Sequence, residues 1–219
     1  MILILLGAPG VGKGSYAQLL QEKLHIPHIS TGEILRNAIT LKSELGQIVK
    51  ADVTAGKLVD DDIMLDVVEK RLEEEDAKSG AILDGFPRTI AQAEMFDDLL
   101  EEKGKHIDFI INMVAPEEVI VRRLSSRRQC SECGTIYNMI TNPPLNCDTC
   151  KECGGKVFIR PDDRAETVKR RLNIYNEKTY PLLEYYSDHP GFLEIDSSGL
   201  LQEGIQHILS EISNRRDIG

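Results

Sequence analysis

The stretch Ile2-Leu3-Ile4-Leu5-Leu6-Gly7-Ala8-Pro9-Gly10-Val11-Gly12-Lys13-Gly14-Ser15 decides the fold of this chain. Ile2–Leu6 is a short apolar run ended by glycine, which predicts a buried strand. Lys13–Leu24 carries an apolar stripe through Leu19, Leu20 and Leu24, which predicts a helix. Strand, glycine-rich turn and helix in that order are the context that the G-x-x-x-x-G-K phosphate-binding signature requires. Gly7, Gly10 and Gly12 let backbone amides approach an anion without side-chain obstruction. Those amides and the helix N-terminus form a concave positive surface, to which Lys13 adds a mobile ammonium. The general signature has Ser or Thr directly after the lysine, whereas here Gly14 intervenes before Ser15. The loop is therefore imperfect as a generic nucleotide-hydrolysing loop. The plainer alternative is a glycine-rich turn with a surface lysine.

Working outward, Ala81–Leu83 is a second apolar segment, ending at Asp84 and Gly85, and Ile107–Val114 is a third. Glu117–Leu124 predicts a helix after Pro116. Phe192–Ile195 predicts a late strand, and Leu200–Ile212 a helix with Ile205, Ile208, Leu209 and Ile212 at helical spacing. Apolar strands separated by amphipathic helices imply an α/β fold with a parallel sheet and helices on both faces. Thr31–Asp60 lacks a clear strand and reads mostly helical. Gln129–Asp163 is rich in Cys, Gly, Pro and Asn with weak helical signal. Both are expected to be insertions into one core. Asp84 follows a strand at the sheet edge where ligands bind in parallel sheets. A carboxylate there suits magnesium held through water, and the common alternative is a helix cap.

The 219 residues suffice for one substantial core with small insertions. The formal charge of −10 argues against non-specific nucleic-acid binding but leaves room for a local basic cleft. No apolar run approaches the ~18 residues of a membrane span. Met1–Leu6 is too short for a signal peptide and lacks its basic region, so the chain reads as intracellular.

All five cysteines lie between Cys130 and Cys153. Cys130-x2-Cys133 and Cys150-x2-Cys153, sixteen residues apart, have the spacing of a four-thiolate metal site. Such a shell is closed, so it builds structure and leaves no position for substrate. Zinc and iron both suit it. Two local disulfides are the alternative. Cys147-x2-Cys150 has the same spacing, but Gly154-Gly155 supplies the turn expected after the Cys150/Cys153 pair, which leaves Cys147 spare.

Taken in order, these motifs resemble those of the adenylate kinases, in their long-lid form. The resemblance covers almost the whole chain. It rests on Gly7–Ser15, Ser30-Thr31-Gly32-Glu33 with Arg36, and Asp84-Gly85-Phe86-Pro87-Arg88-Thr89. It continues through Arg127-Arg128, Arg160-Pro161-Asp162-Asp163 and Arg171. The Gly14-Ser15 ending resembles the nucleoside-monophosphate kinase form of the loop. The resemblance implies a P-loop nucleoside-monophosphate kinase fold and the magnesium-dependent reaction ATP + AMP ⇌ 2 ADP. It implies a core of residues 1–29, 60–126 and 165–219, a monophosphate-binding insertion at 30–59 and a zinc-bearing lid at 127–164.

The resemblance also implies residue roles. ATP would meet Gly10, Val11, Gly12, Lys13, Gly14, Ser15, Arg123, Arg127 and, through its adenine, Tyr137. AMP would meet Thr31, Gly32, Arg36, Lys57, Val59, Gly85, Arg88, Gln92, Arg160 and Arg171. Lys13, Asp84, Arg88, Arg123, Arg127, Arg160 and Arg171 would carry the catalysis. Zinc would sit on Cys130, Cys133, Cys150 and Cys153. The partners implied are ATP, AMP and ADP, with no nucleic acid and no membrane, for a cytoplasmic monomer. Three roles have plainer alternatives: Thr31 as a helix cap, Tyr137 as the holder of the metal lobe, and each arginine as a solvated charge. Competing functions are a kinase of UMP or GMP, a nucleotide-responsive regulator, and a zinc-dependent nucleic-acid binder. The full set of Lys13, Asp84 and the arginines, and the net charge, argue against the last two.

Overall fold

The computed structural model of the chain describes residues 1–216, so the last three positions of the expected core lie outside the described residues. Its centre is a five-stranded parallel sheet. In chain order, β1 (Ile2–Leu6), β2 (His28–Ser30), β3 (Ala81–Asp84) and β4 (Phe109–Val114) are joined through helices. The intervening helices are α1 (Lys13–Leu24), α2 (Thr31–Thr40), α3 (Glu44–Ala55), α4 (Asp61–Leu72) and α5 (Ile90–Glu102). Next come α6 (Glu117–Ser126) and three short strands, β5 (Arg127–Cys130), β6 (Ile136–Asn138) and β7 (Val157–Phe158). The chain closes with α7 (Ala165–Ile174), a π-helical turn at Tyr175–Thr179, α8 (Leu182–Tyr185), β8 (Phe192–Asp196) and α9 (Leu201–Arg216).

The spatial order of the sheet is β2-β3-β1-β4-β8. Register places Leu5 beside Asp84, Ser30 beside Asp84, and Leu6 beside Asn112, so the carboxyl ends of the strands share one edge. Both faces of β1 are buried, which is why its sequence is a continuous apolar run with no alternation. Ile2, Ile4 and Leu6 pack with Leu83, Ile110, Val68, Phe96 and Leu182 on one side. Leu3 and Leu5 pack with Leu20, Ile82, Ile111, Met113, Ile205 and Ile208 on the other. No helix among the described residues is long and apolar enough to cross a membrane.

Two additions interrupt the sheet. One is the α2–α3 pair, which starts directly after β2. Ser43 caps α3, its hydroxyl accepting from the Gly46 amide at 3.1 Å. A Cβ on Gly46 would lie 2.1 Å from the Ala38 carbonyl oxygen, so only glycine allows the two helices to approach this closely. The other is an antiparallel sheet of order β6-β5-β7, separate from the first. The sequence reading did not find β2. His28-Ile29-Ser30 is too short for periodicity to register, and it is held by pairing with β3.

Candidate active site

The loop after β1 opens onto the carboxyl edge of the sheet at the strand where chain order reverses across it, the position parallel sheets offer to ligands. Gly7 has φ +132°, and a Cβ there would lie 2.5 Å from the Met113 carbonyl oxygen, so the turn demands glycine. Lys13 starts α1 and folds back over the loop, donating to the carbonyls of Gly7 at 2.6 Å and Ala8 at 3.1 Å. Desolvation, together with the nearby charges of Arg88, Arg171 and Arg127, outweighs the attraction of Asp84 and lowers its ammonium to about 8. The site thus holds a cation that gains from the arrival of an anion.

Asp84 ends β3 beside this loop. A Cβ on Gly14 would lie 3.7 Å from Asp84 Oδ2, and His28 Nε2 lies 3.3 Å from the same oxygen. Burial opposes the charge on Asp84. The His28 hydrogen bond and the charges of Lys13 and Arg88 outweigh it and hold the carboxyl below its ordinary range. A single ionised carboxylate next to a phosphate loop suits a magnesium ion that keeps most of its waters. Asp84 caps no helix among the described residues.

Next to the loop lies a pocket lined by nine of the residues expected to meet AMP. They are Thr31, Gly32, Arg36, Lys57, Val59, Gly85, Arg88, Gln92 and Arg171. Arg160 is not among its lining residues. Leu35, Val53, Leu58 and Met64 give the pocket an apolar wall that the sequence reading did not identify. Thr31 is the first residue of α2 and Ser30 its cap position, so Thr31 is not the cap. Its hydroxyl donates instead to the Gly85 carbonyl at 2.9 Å, tying α2 to the loop after β3. Arg88 is held by that loop, Nε donating to the Gly85 carbonyl at 2.7 Å, while the Thr179 hydroxyl in the π-helical turn donates to the Arg88 carbonyl at 2.9 Å.

The arginines crowd one cleft. Arg127 pairs with Asp163 in a two-pronged ion pair, and Arg171 reaches Asp162 at 3.0 Å and Asp163 at 3.3 Å. Arg160 is 6% exposed and donates to Gln129 Oε1 at 2.6 Å. Arg36 Nε is buried without a partner. Desolvation first, then repulsion from neighbouring cations, lowers Arg171 to about 10 and Arg160 to about 9. Arg36 and Arg88 are lowered for the same reasons. Lys13, Arg36, Arg88, Arg127, Arg160 and Arg171 thus outnumber the acidic Asp84, Asp162 and Asp163 around them. A chain of net charge −10 has gathered a positive cleft. Guanidinium groups in that number match the paired oxygens of phosphates.

Neighbours that sequence could not separate differ in burial. Arg123 is half-buried, donating to the carbonyls of Val11 and Ser197, each at 2.6 Å, whereas Arg122 is exposed. Arg171 turns inward, whereas Arg170 is exposed and donates to the Ala55 carbonyl at the end of α3 at 2.7 Å.

In the β5–β7 lobe, the Sγ atoms of Cys130, Cys133, Cys150 and Cys153 all lie within 4.8 Å of one another. The Cys130–Cys153 and Cys133–Cys150 pairs are 3.5 Å apart. A tetrahedron of thiolates about 2.3 Å from a zinc ion has sulfurs about 3.8 Å apart, so the cluster has the dimensions to hold a metal. Burial opposes ionisation of Cys150, but the Tyr137 hydroxyl and nearby amides draw it down to about 6. Cys153 accepts help from the Gly155 amide, yet its thiol neighbours push it up to about 12. A metal ion between the sulfurs would bind them as thiolates and release their protons. Cys147 lies outside the cluster and is exposed. Tyr137 is 2% exposed, its hydroxyl 3.2 Å from Cys150 Sγ and accepting from the Lys151 amide at 2.8 Å. Its hydroxyl thus ties the cysteine cluster to the lobe's backbone, as the lobe-holding role requires.

The adenylate kinase family model matches residues 5–190. The chain is 47% identical to an adenylate kinase of Thermosipho africanus over 203 residues, covering 90% of this chain and 95% of that one. It is 50% identical to one of Caldicellulosiruptor bescii over 186 residues, covering 85% and 86%. With one of Archaeoglobus fulgidus it shares 43% identity over 218 residues, covering 98% and 100%.

Proposed function

The chain belongs to the adenylate kinase family and catalyses ATP + AMP ⇌ 2 ADP, and from that premise we propose how its residues divide the work. The pocket walled by α2, α3 and the Asp84–Arg88 loop takes AMP, and the Gly10–Ser15 loop takes the ATP phosphates. The observation that carries this division is the convergence of nine expected AMP contacts on one pocket beside Lys13. Arg36 and Arg88 hold the AMP phosphate. Arg123, Arg127, Arg160 and Arg171 surround the ATP phosphates and the transferring group, and Arg160 and Arg171 also reach AMP from that side. Thr31, Gly32, Lys57, Val59, Gly85 and Gln92 hold the AMP nucleoside. Tyr137 packs near the ATP adenine, while its hydroxyl, beside Cys150 Sγ, supports a second part in holding the lobe.

In an in-line transfer, charge spreads over the equatorial oxygens of the moving group, so the protein's part is alignment and electrostatic stabilisation. Lys13 leaves the Gly7 and Ala8 carbonyls to meet that charge. The AMP phosphate is already a nucleophile once aligned, so no side chain need act as a strong base. Asp84 would hold magnesium through its waters, and the ion when bound screens the charge of the ATP phosphates. Zinc on the four cysteines is structural. The insertions at 30–59 and 127–164 act as the two mobile covers of the core at 1–29, 60–126 and 165–219. The family reading also supports a cytoplasmic monomer, and sizing in solution tests the monomer.

A coupled assay offering ATP with AMP, UMP, CMP or GMP tests the substrate, and AMP is expected to be strongly preferred. Arg88→Ala tests the division of sites. It should raise KM for AMP and lower turnover, a loss of roughly 2–5 kcal/mol for one desolvated phosphate contact. An Arg88→Ala protein changed only in ATP saturation would reverse the assignment.

A further inference from the structure

Gln92 sits in an arrangement that the assignment above does not explain. It is 2% exposed and lines the pocket. Its Oε1 accepts from the Arg88 backbone N–H at 2.7 Å, and its Nε2 donates to Asp61 Oδ1 at 2.7 Å. Asp61 is the first residue of α4, far from Gln92 in sequence. Thr89 closes the network. Its hydroxyl accepts from the Gln92 backbone N–H at 3.1 Å and lies 3.2 Å from Asp61 Oδ1, to which it donates.

A backbone N–H can only donate, and a carboxylate can only accept. The two partners therefore decide which end of the Gln92 amide is oxygen and which is nitrogen. Turning the amide over would set a donor against a donor at Arg88 and an acceptor against an acceptor at Asp61. An amide oxygen has two lone pairs and an amide nitrogen two hydrogens. One of each is used, so one acceptor and one donor remain, in fixed order, on the pocket side. Adenine presents an amino donor beside a ring-nitrogen acceptor. A 6-oxo purine presents a carbonyl acceptor in place of that amino group, beside an N–H donor. An amide free to turn over could pair with either base, whereas one held at both ends pairs with one.

We propose that Asp61 is a specificity-determining residue that acts through Gln92. By accepting from Nε2 it locks the amide in the order that pairs with a 6-amino purine monophosphate and mismatches a 6-oxo purine monophosphate. Asp61 touches the amide and not the substrate, so it is a positioning residue. The inference rests on the reading of Gln92 as the base contact, and the test separates the two.

The test compares AMP with inosine monophosphate, which differs at the 6-position and adds no 2-amino group. ATP is held saturating, kcat/KM is measured for both, and calorimetric binding of each monophosphate is measured alongside. Thermal melts check that each variant is folded. Asp61→Leu removes the acceptor and should lower the AMP-to-IMP ratio at least about tenfold, or about 1.4 kcal/mol of discrimination. Asp61→Asn still offers an oxygen to Nε2 and should keep the ratio within about threefold. An Asp61→Leu protein that loses both substrates equally, with the ratio unchanged, would have lost packing only and would overturn the proposal. An Asp61→Asn protein falling as far as Asp61→Leu would overturn the acceptor role. Gln92→Leu should collapse the ratio. If it does not, the base-contact reading fails. If it does while Asp61→Leu leaves the ratio intact, the Asp61 inference alone fails.

Discussion

The central sheet and the cysteine lobe meet the same requirement with different materials. In the sheet, β1 alone buries five consecutive apolar residues, and large clusters cover both its faces. Each fully buried aliphatic chain contributes roughly 1.5–3 kcal/mol, enough in sum to offset the ordering of the backbone. The lobe's strands are four, three and two residues long, and its buried cluster is Cys130, Tyr137, Cys150 and Val157. Two of those four are thiol ligands. Apolar burial on that scale cannot offset an ordering cost of about 1–2 kcal/mol for each residue. The lobe's core is thus the cluster of thiols that can hold a metal, whereas the sheet holds its phosphate loop by apolar burial.

The strongest way to break this contrast is to remove a ligand. Cys150→Ser should take zinc from about one per chain to a small fraction, because structural metal binding and lobe folding are one free energy. Hydrogen exchange should then quicken by at least about 100-fold at lobe amides such as that of Tyr137, while the amides of β1 keep their protection. Elemental analysis and exchange on the same sample check both halves. Equal loosening of β1 and the lobe would mean that the two parts fold as one unit and that the contrast is false.

A site residue on the sheet should behave in the opposite way, costing activity and not structure. Lys13→Ala should lower kcat by about 100-fold, equal to about 2.7 kcal/mol, with KM for AMP little changed. Its melting temperature should stay close to that of the parent, since removing a desolvated ammonium relieves as much as it costs. Near-normal kcat in a folded variant would end the catalytic role of Lys13.

These two regions were not equally legible in the sequence. The ends of β1 and α1 coincide with the residues read from the pattern, because a doubly buried strand, a phosphate turn and a helix start each leave a local mark. Spacing made a four-thiolate site legible, since a closed shell needs two CxxC pairs, but it took the Gly154-Gly155 turn and the family resemblance to choose Cys153 over Cys147, as the cluster bears out. The strand at Phe109–Val114 starts two residues later than the apolar segment suggested, and just before it Asp108 meets Ile2 through both its carboxylate and its backbone N–H. What stayed hidden was tertiary. Asp61 reaches Gln92 only when α4 packs beside α5, and His28 reaches Asp84 only across β2 and β3. The base contact of Tyr137 came from the family resemblance, and the placement of its hydroxyl beside Cys150 Sγ is tertiary and left no mark in the sequence.

The pH dependence of the phosphate loop sharpens the contrast further, with a smaller effect. Lys13 titrates at about 8 in the folded chain against 10.5 when unperturbed, with Asp84, Arg88, Arg171 and Arg127 as the charges around it. Between those values the unfolded chain binds more protons, so this group makes stability rise with pH across that window. Bound phosphate favours the charged ammonium, so apparent ATP affinity should weaken as pH rises above about 8, by up to about tenfold per pH unit. In Lys13→Arg that inflection should vanish, since guanidinium keeps its proton, while any inflection belonging to ATP itself remains in both proteins. Identical binding profiles for the two would show that the loop lysine stays charged throughout.

The smallest expected effect is the most exacting test of which thiols make the lobe. Cys147 has the same two-residue spacing to Cys150 that Cys153 has, so sequence pattern alone allows either pair. The structure leaves Cys147 exposed at φ +68° and outside the four-sulfur cluster. A residue in that left-handed conformation bends the chain ahead of the knuckle, and its sulfur has no part in the shell. Cys147→Ser should therefore retain stoichiometric zinc and shift stability by no more than about 0.5 kcal/mol, the ordinary range for a surface change. Cys153→Ser, three residues beyond Cys150 on the other side, should lose zinc as Cys150→Ser does. Elemental analysis, with melts taken before and after chelation, separates the two. Loss of zinc from Cys147→Ser with retention in Cys153→Ser would exchange the ligand pair. The metal would then close the loop ahead of Cys150, and the Gly154-Gly155 turn would lose its structural reason.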